Sequence, residues 1–209
     1  ALLGLIPSTA GNAINNVRLL RDSEYTGEGV RGDYSLIVAV ACAVSSIAVC
    51  AGSFVSGVSD PADLFAVSAA SALLVIREYL TVEYRLKLKY NKILNASLWQ
   101  ALGYVVGFVA FAISGVWGFV YLWGYFASDL YIVRTTTVWK DPFAATSKLR
   151  SSLKDVASLG FANALSRATN YADRLILVPL AGSAVVAVYY VAGLFGKTLS
   201  LIVLSLIHI

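Results

Sequence analysis

The residues of this sequence best placed to do chemistry are charged side chains that stand inside apolar stretches. Arg167, Asn170 and Arg174 recur at i, i+3 and i+7, so a helix presents them on one face. Ser166, Thr169 and Asp173 are interleaved with them, and Lys197 lies deep in the next apolar stretch. Asp173 is better placed to meet Arg167 or Asn170 than its sequence neighbour Arg174. Charges at membrane depth face a cavity or a partner rather than lipid, because hydrocarbon does not solvate them. This face therefore reads either as a polar seam buried between helices or as one wall of a hydrated, cationic cavity. The second reading suits an anionic substrate, such as a phosphate or pyrophosphate group. Arg77 and Glu78 lie about two turns inside another apolar stretch. Arg77 either snorkels to the interface or joins the cavity wall. Asp129 reads as an interfacial residue near the end of its stretch. The candidate substrate-binding residues are thus Arg167, Asn170, Arg174, Lys197 and Arg77, and the candidate ion-coupling carboxylates are Asp173 and Glu78.

Other chemistries find little support. The single histidine, His208, is next to last in the sequence. Cys42 and Cys50 are eight residues apart in one apolar run. On a helix that is about 12 Å of rise, too far for a disulfide, so both read as small apolar residues. Zinc-ligand spacing, a G-x-S-x-G elbow and a phosphate-binding P-loop are all missing from the sequence. No metal or cofactor is expected, and no enzymatic activity. A membrane-embedded glycosyl- or acyltransferase would want a convergent His/Asp/Glu cluster.

The elements that must position these residues are membrane helices. Hydrophobic residues make up 58% of the 209 positions and charged residues 13%. Soluble domains carry about 25% charged residues. Apolar segments fall at 1–14, 36–58, 64–84, 93–114, 116–133, 156–180 and 184–203. The complete ones approach the ~20 residues that a helix needs to cross ~30 Å of hydrocarbon, and they lack the alternation of a membrane β-barrel. Twelve of the sixteen basic residues lie in three alternate connections. Arg18, Arg21 and Arg31 are in the first, and Arg85, Lys87, Lys89 and Lys92 in the second. The third holds Arg134, Lys140, Lys148, Arg150 and Lys154. The connections at 59–63 and around Gly115 carry no Lys or Arg. The asymmetry places the basic loops in the cytoplasm and makes the net charge of +4 a topology signal rather than a nucleic-acid signal.

Smaller features refine the picture. Trp99, Trp117 and Trp139, with Tyr121, Tyr125 and Tyr131, fall near expected span ends, as interfacial aromatics do. Trp123 sits deeper, where its indole N–H wants a partner. Gly103 and Gly107 form a G-x-x-x-G that admits the close approach of another helix of the same chain. Pro142 is expected to break helix in the long basic loop, and Pro179 with Gly182 to mark the exit of the sixth span. Asn95-Ala96-Ser97 matches a glycosylation acceptor by chance, on the cytoplasmic side. The sequence contains no Met and starts within an apolar stretch, as a fragment would, and residues 204–209 resemble the translation of a sequencing-library adapter.

The stretch 162–192 resembles polysaccharide flippases of the multidrug/oligosaccharidyl-lipid/polysaccharide (MOP) exporter superfamily. Those proteins carry an Asp-Arg pair, an apolar run, two spaced glycines, a tyrosine and an alanine across their seventh and eighth helices. Asp173-Arg174, Gly182, Tyr189 and Ala192 match, and Ala187 stands where glycine is common. The resemblance implies an all-α, polytopic transmembrane helical bundle, MOP/MATE-like and partial. A first lobe would occupy 1–133 (helices two to six), a cytoplasmic basic loop 134–155, and the start of the second lobe 156–203. It implies alternating-access export of lipid-linked oligosaccharide, of the undecaprenyl pyrophosphate type, across a bacterial inner membrane for polysaccharide or O-antigen biosynthesis. Membrane lipids would be the other partner, and nucleic acid none. A drug exporter of the same superfamily is the nearest alternative, and it would favour acidic cavity residues.

Overall fold

The computed structural model describes residues 2–22 and 31–207, and beyond residue 169 most positions are described by their backbone alone. The described regular structure is helical: α1 (Leu2–Arg21), α2 (Arg31–Val55), α3 (Pro61–Leu80), α4 (Val82–Leu86), α5 (Tyr90–Ser114), α6 (Gly118–Thr135) and α7 (Leu149–Ile207), with a 3₁₀ turn at Val138–Lys140. The chain divides into two compact units, Ala1–Leu165 and Ser166–Ile209.

Local chemistry sets the helix ends of the first unit. Pro61 opens α3, where its missing N–H has no intrahelical partner to lose, and the Asp60 carboxylate accepts from the Ala62 N–H at 3.0 Å. α5 stops at Gly115, whose φ of 77° is the left-handed conformation that glycine adopts without a Cβ clash. Three residues later α6 begins, its Gly118 N–H donating to the Asp63 carboxylate at 2.9 Å. Asp63 is therefore a buried cap that ties the start of α6 to the start of α3, rather than a charge of the connection.

The core of this unit gathers Ile14 and Val17 from α1, Ile37 and Val38 from α2, Val75 and Tyr79 from α3 and Ile132 from α6. α5 packs almost wholly against α6, and the two glycines explain how. A Cβ on Gly103 would lie 2.4 Å from the Trp123 carbonyl oxygen, and one on Gly107 2.6 Å from that of Phe119. The expected close approach at G-x-x-x-G is thus made with α6.

Among the described residues, three helices are long and apolar enough to cross a membrane: Arg31–Val55, Pro61–Leu86 (α3 with α4) and Tyr90–Ser114. In the apolar window of the last, only 17% of the residues are buried within the protein. Leu94, Leu98, Leu102, Val105, Val109 and Ile113 are all more than half exposed. An apolar surface of this extent suits lipid and not water.

Several expectations need correction. Arg18 and Arg21 are part of α1 rather than of a loop beyond it. Tyr125 is 8% exposed and packs with Ala70 and Leu74, so it is a core residue and not an interfacial one. Trp99 lies well inside α5, not at its end. Cys42 and Cys50 are free thiols, and Pro142 does fall in a non-helical stretch. The second unit is described by itself. It is helical from 166 to 207 apart from Gly182, whose φ of 80° and ψ of 162° break the helix where the exit of the sixth span was expected. His208 and Ile209, at the end of the adapter-like tail, lie outside the described residues.

Candidate functional site

A polar cavity opens inside the first unit between α1, the α3–α4 junction and α5. α1 supplies it with Asn12 and Asn15, one turn apart on one face. Gly11 lets that face close on α3, since a Cβ there would lie 2.6 Å from the Glu78 Cβ. α3 contributes Arg77 and Glu78, the junction Thr81, and α4 Arg85. Ile93 and Ala96 of α5 form the apolar side. The cavity holds about 230 Å³.

Hydrogen bonds fix most of its wall. The Asn15 amide donates to the Glu78 carbonyl oxygen and, at 3.2 Å, to the Thr81 hydroxyl. The Thr81 hydroxyl donates back to the Glu78 carbonyl at 2.8 Å, in place of the N–H donors that α3 runs out of at its end. Arg85 donates from Nη1 to the side-chain oxygens of Asn15 at 3.0 Å and Asn16 at 2.8 Å. Arg77 donates from Nε to the Ser128 hydroxyl of α6 at 3.0 Å, and its Nη1 stands 3.4 Å from the Glu78 carboxylate. Arg77 thus turns into the bundle and does not snorkel outward. Both side chains are largely shielded, Arg77 being 14% exposed and Glu78 21%.

Next to Ser128 lies Asp129, which the sequence suggested was interfacial. It is 6% exposed, and neither carboxylate oxygen has a hydrogen-bond partner among the described residues. Its position near a helix end was misleading, because that end is covered by neighbouring helices.

A second polar assembly closes the basic end of the unit. The segment between α6 and α7 is fastened to three helix ends. Arg18 of α1 pairs with Asp141 at 2.7 Å, donates to the Tyr79 hydroxyl and lies 5.2 Å above the Tyr79 ring. Asp33 of α2 accepts from the Thr146 N–H at 2.7 Å and from its hydroxyl at 2.6 Å. Glu83 of α4 accepts from the Thr137 N–H at 2.6 Å and pairs with Lys87. Arg21 pairs with Asp155 at the start of α7. Gly32 admits this segment, as a Cβ there would lie 2.6 Å from the Ala144 carbonyl oxygen.

Of the residues singled out in the sequence, Arg77 and Glu78 share the cavity of the first unit. Arg167 belongs to the second unit and is half-buried. The helix is continuous through 167–174, but the side chains of Asn170, Asp173, Arg174 and Lys197 lie outside the described residues. Sequence reasoning missed Asn12, Asn15, Thr81 and Arg85 as wall residues. A signal for the first two was present: Asn12, Asn15 and Asn16 recur at i, i+3 and i+4 within and just after an apolar run. Arg85 was counted only as a loop charge. Among the described residues no group of His, Cys, Asp and Glu could hold a metal ion. No family model, curated protein or solved structure matches the chain.

Proposed function

We propose that this chain is part of a membrane transporter that carries an anionic, lipid-linked saccharide, by alternating access, across a bacterial inner membrane with its basic end in the cytoplasm. The observation that carries the reading is the cavity itself. Two guanidiniums, Arg77 and Arg85, line it within a bundle whose outer faces are apolar. Guanidinium groups match phosphate oxygens in geometry as well as in charge. At about 230 Å³ the cavity falls below the ~300–1,000 Å³ typical of drug-sized ligand sites. It has room for a phosphate-sized group and not for an oligosaccharide, so the saccharide would travel outside it while the charged head is held. The sequence resemblance to MOP polysaccharide flippases supports the same substrate class; within the second unit Arg167, Asn170, Arg174 and Lys197 are the proposed substrate-binding residues and Asp173 a coupling carboxylate, and within the first unit Glu78 is another.

A cation exporter is a second reading, favoured by the two acidic side chains Glu78 and Asp129 within the first unit. The charge of the cargo separates the two. In proteoliposomes carrying the purified chain and a fluorescent polyprenyl-pyrophosphate saccharide, R77Q and R85Q are expected to slow translocation at least tenfold, a loss of about 1.4 kcal/mol in transition-state stabilisation or more. A wild-type protein that moves an organic cation but not the pyrophosphate lipid would reject the flippase reading.

A further inference from the structure

We propose that Asp129 is the binding site for a single positive charge, a proton or an alkali cation, and that its occupancy controls where Arg77 points. This inference builds on the cavity described above but not on the identity of its cargo.

Asp129 is 94% buried, given its 6% exposure, and neither of its oxygens has a hydrogen-bond partner among the described residues. A bare carboxylate in low dielectric is among the most costly groups a fold can contain, and proteins neutralise such a group instead of tolerating its charge. The charged and titratable groups that act on it are known from each packed element. α3 brings Arg77 and Glu78, which act in opposite directions. α2 brings the Cys42 thiol. α5 carries no charged residue between Ile93 and Ser114. On α6 itself, Tyr125 lies one turn away and also senses Arg77.

Arg77 is the cation among the described residues whose charge acts on Asp129, yet it is committed elsewhere. Its Nε is held by Ser128, the residue preceding Asp129, and its Nη1 is turned toward Glu78 at the cavity. With a positive charge on Asp129, this arrangement is stable and the guanidinium serves the cavity. When that charge leaves, the bare carboxylate attracts Arg77, whose charge acts on it, and the cavity loses a phosphate-binding group. Occupancy of Asp129 and anion affinity in the cavity are then linked, and the linkage is reciprocal. The carboxylate previously singled out on α3, Glu78, forms the other side of the Arg77 switch.

The test is ligand-dependent stability of the purified full chain in detergent, because a ligand that binds the folded state raises the unfolding temperature. Sodium, potassium and choline chlorides are compared at equal ionic strength over a range of pH, for the wild type and D129N. A sodium- or potassium-specific rise that D129N lacks identifies an alkali cation. A pH-dependent component that D129N lacks, with no preference among the salts, identifies a proton. A wild type insensitive to both, or a D129N protein that keeps the full response, overturns the proposal. Should D129N fail to fold, labelling of the wild type by dicyclohexylcarbodiimide decides, since this reagent modifies protonated carboxyl groups in apolar surroundings. Modification mapped to Asp129 and suppressed by raised pH or by the alkali ion supports the site, and its absence under every condition overturns it. Neither measurement involves the saccharide, so either can fail without bearing on the cargo.

Discussion

Arg18 shows how far a single side chain departs from what its position in sequence suggests. In sequence it is one of several basic residues after an apolar run, and such residues read as solvated topology signals. In the structure it is 4% exposed, stacked on Tyr79 and paired with Asp141 more than a hundred residues away. No local pattern announces a partner at that separation. R18M should leave Asp141 without its counter-ion. Breaking a fully buried pair costs ~3–5 kcal/mol, and the 15% exposure of the Asp141 side chain reduces this to roughly 2–3 kcal/mol. Unfolding by SDS titration in mixed micelles measures it, and a variant as stable as wild type would show that the pair is ornamental. Arg77 gives the opposite lesson. Its place two turns inside an apolar run singles it out and leaves it two destinations, the interface or the bundle interior, and the structure shows the second. Asp129 is less legible, as distance from a helix end says nothing about which neighbour covers that end.

Helices were easier to read than charges, since length and apolarity are local properties. The runs at 36–58 and 93–114 correspond to α2 and α5, and the run at 64–84 to α3 with α4. The break between α3 and α4 at Thr81 was not foreseen, because it depends on a hydroxyl that caps α3 from within an otherwise uninterrupted run. The small residues of α5 were read correctly. With no hydrophobic drive between helices in lipid, close backbone approach is what association has to offer, and only glycine permits it here. G103V tests this, as its side chain meets the Trp123 backbone, which cannot swing aside as a side-chain tip would. Overpacking of this kind costs ~1–3 kcal/mol. G115A is the control: none of the described residues comes within 4 Å of its Cβ, so it should feel only the ~1–2 kcal/mol of a left-handed backbone and leave the α5–α6 contact intact. The two variants separate if Trp123 fluorescence, followed with the other tryptophans replaced by Phe, shifts in G103V alone. Equal shifts in both would mean that the glycine face is not the seam.

At the scale of the whole first unit, the charges sort by end. The start of α3 meets the start of α6 through Asp63 and Gly118, so the 59–63 connection and the Gly115 turn share one end, which carries no Lys or Arg. The opposite end gathers Arg18, Asp33, Glu83 and the segment 136–148 into one hydrogen-bonded assembly, with Lys87, Lys89 and Lys92 close in sequence. The alternation of basic and non-basic connections, visible in the sequence, thus corresponds to two real ends of a bundle. What the sequence concealed is that the basic segment is fastened down, because its anchors are carboxylates scattered over α2, α4 and the segment itself. A membrane that holds this bundle must separate Ser59 from Lys89, which lie at opposite ends of the Pro61–Leu86 span. With Cys42 and Cys50 replaced by alanine, a cysteine at Ser59 should react with a membrane-impermeant maleimide in intact cells, and a cysteine at Lys89 only after permeabilisation. The reverse pattern would invert the orientation drawn from the basic loops and put the Arg77 cavity nearer the outer face. Labelling of both from the same side would show that α3 and α4 do not cross, and the transport reading would lose its physical basis, since a cavity that the membrane does not divide has no two sides to alternate between.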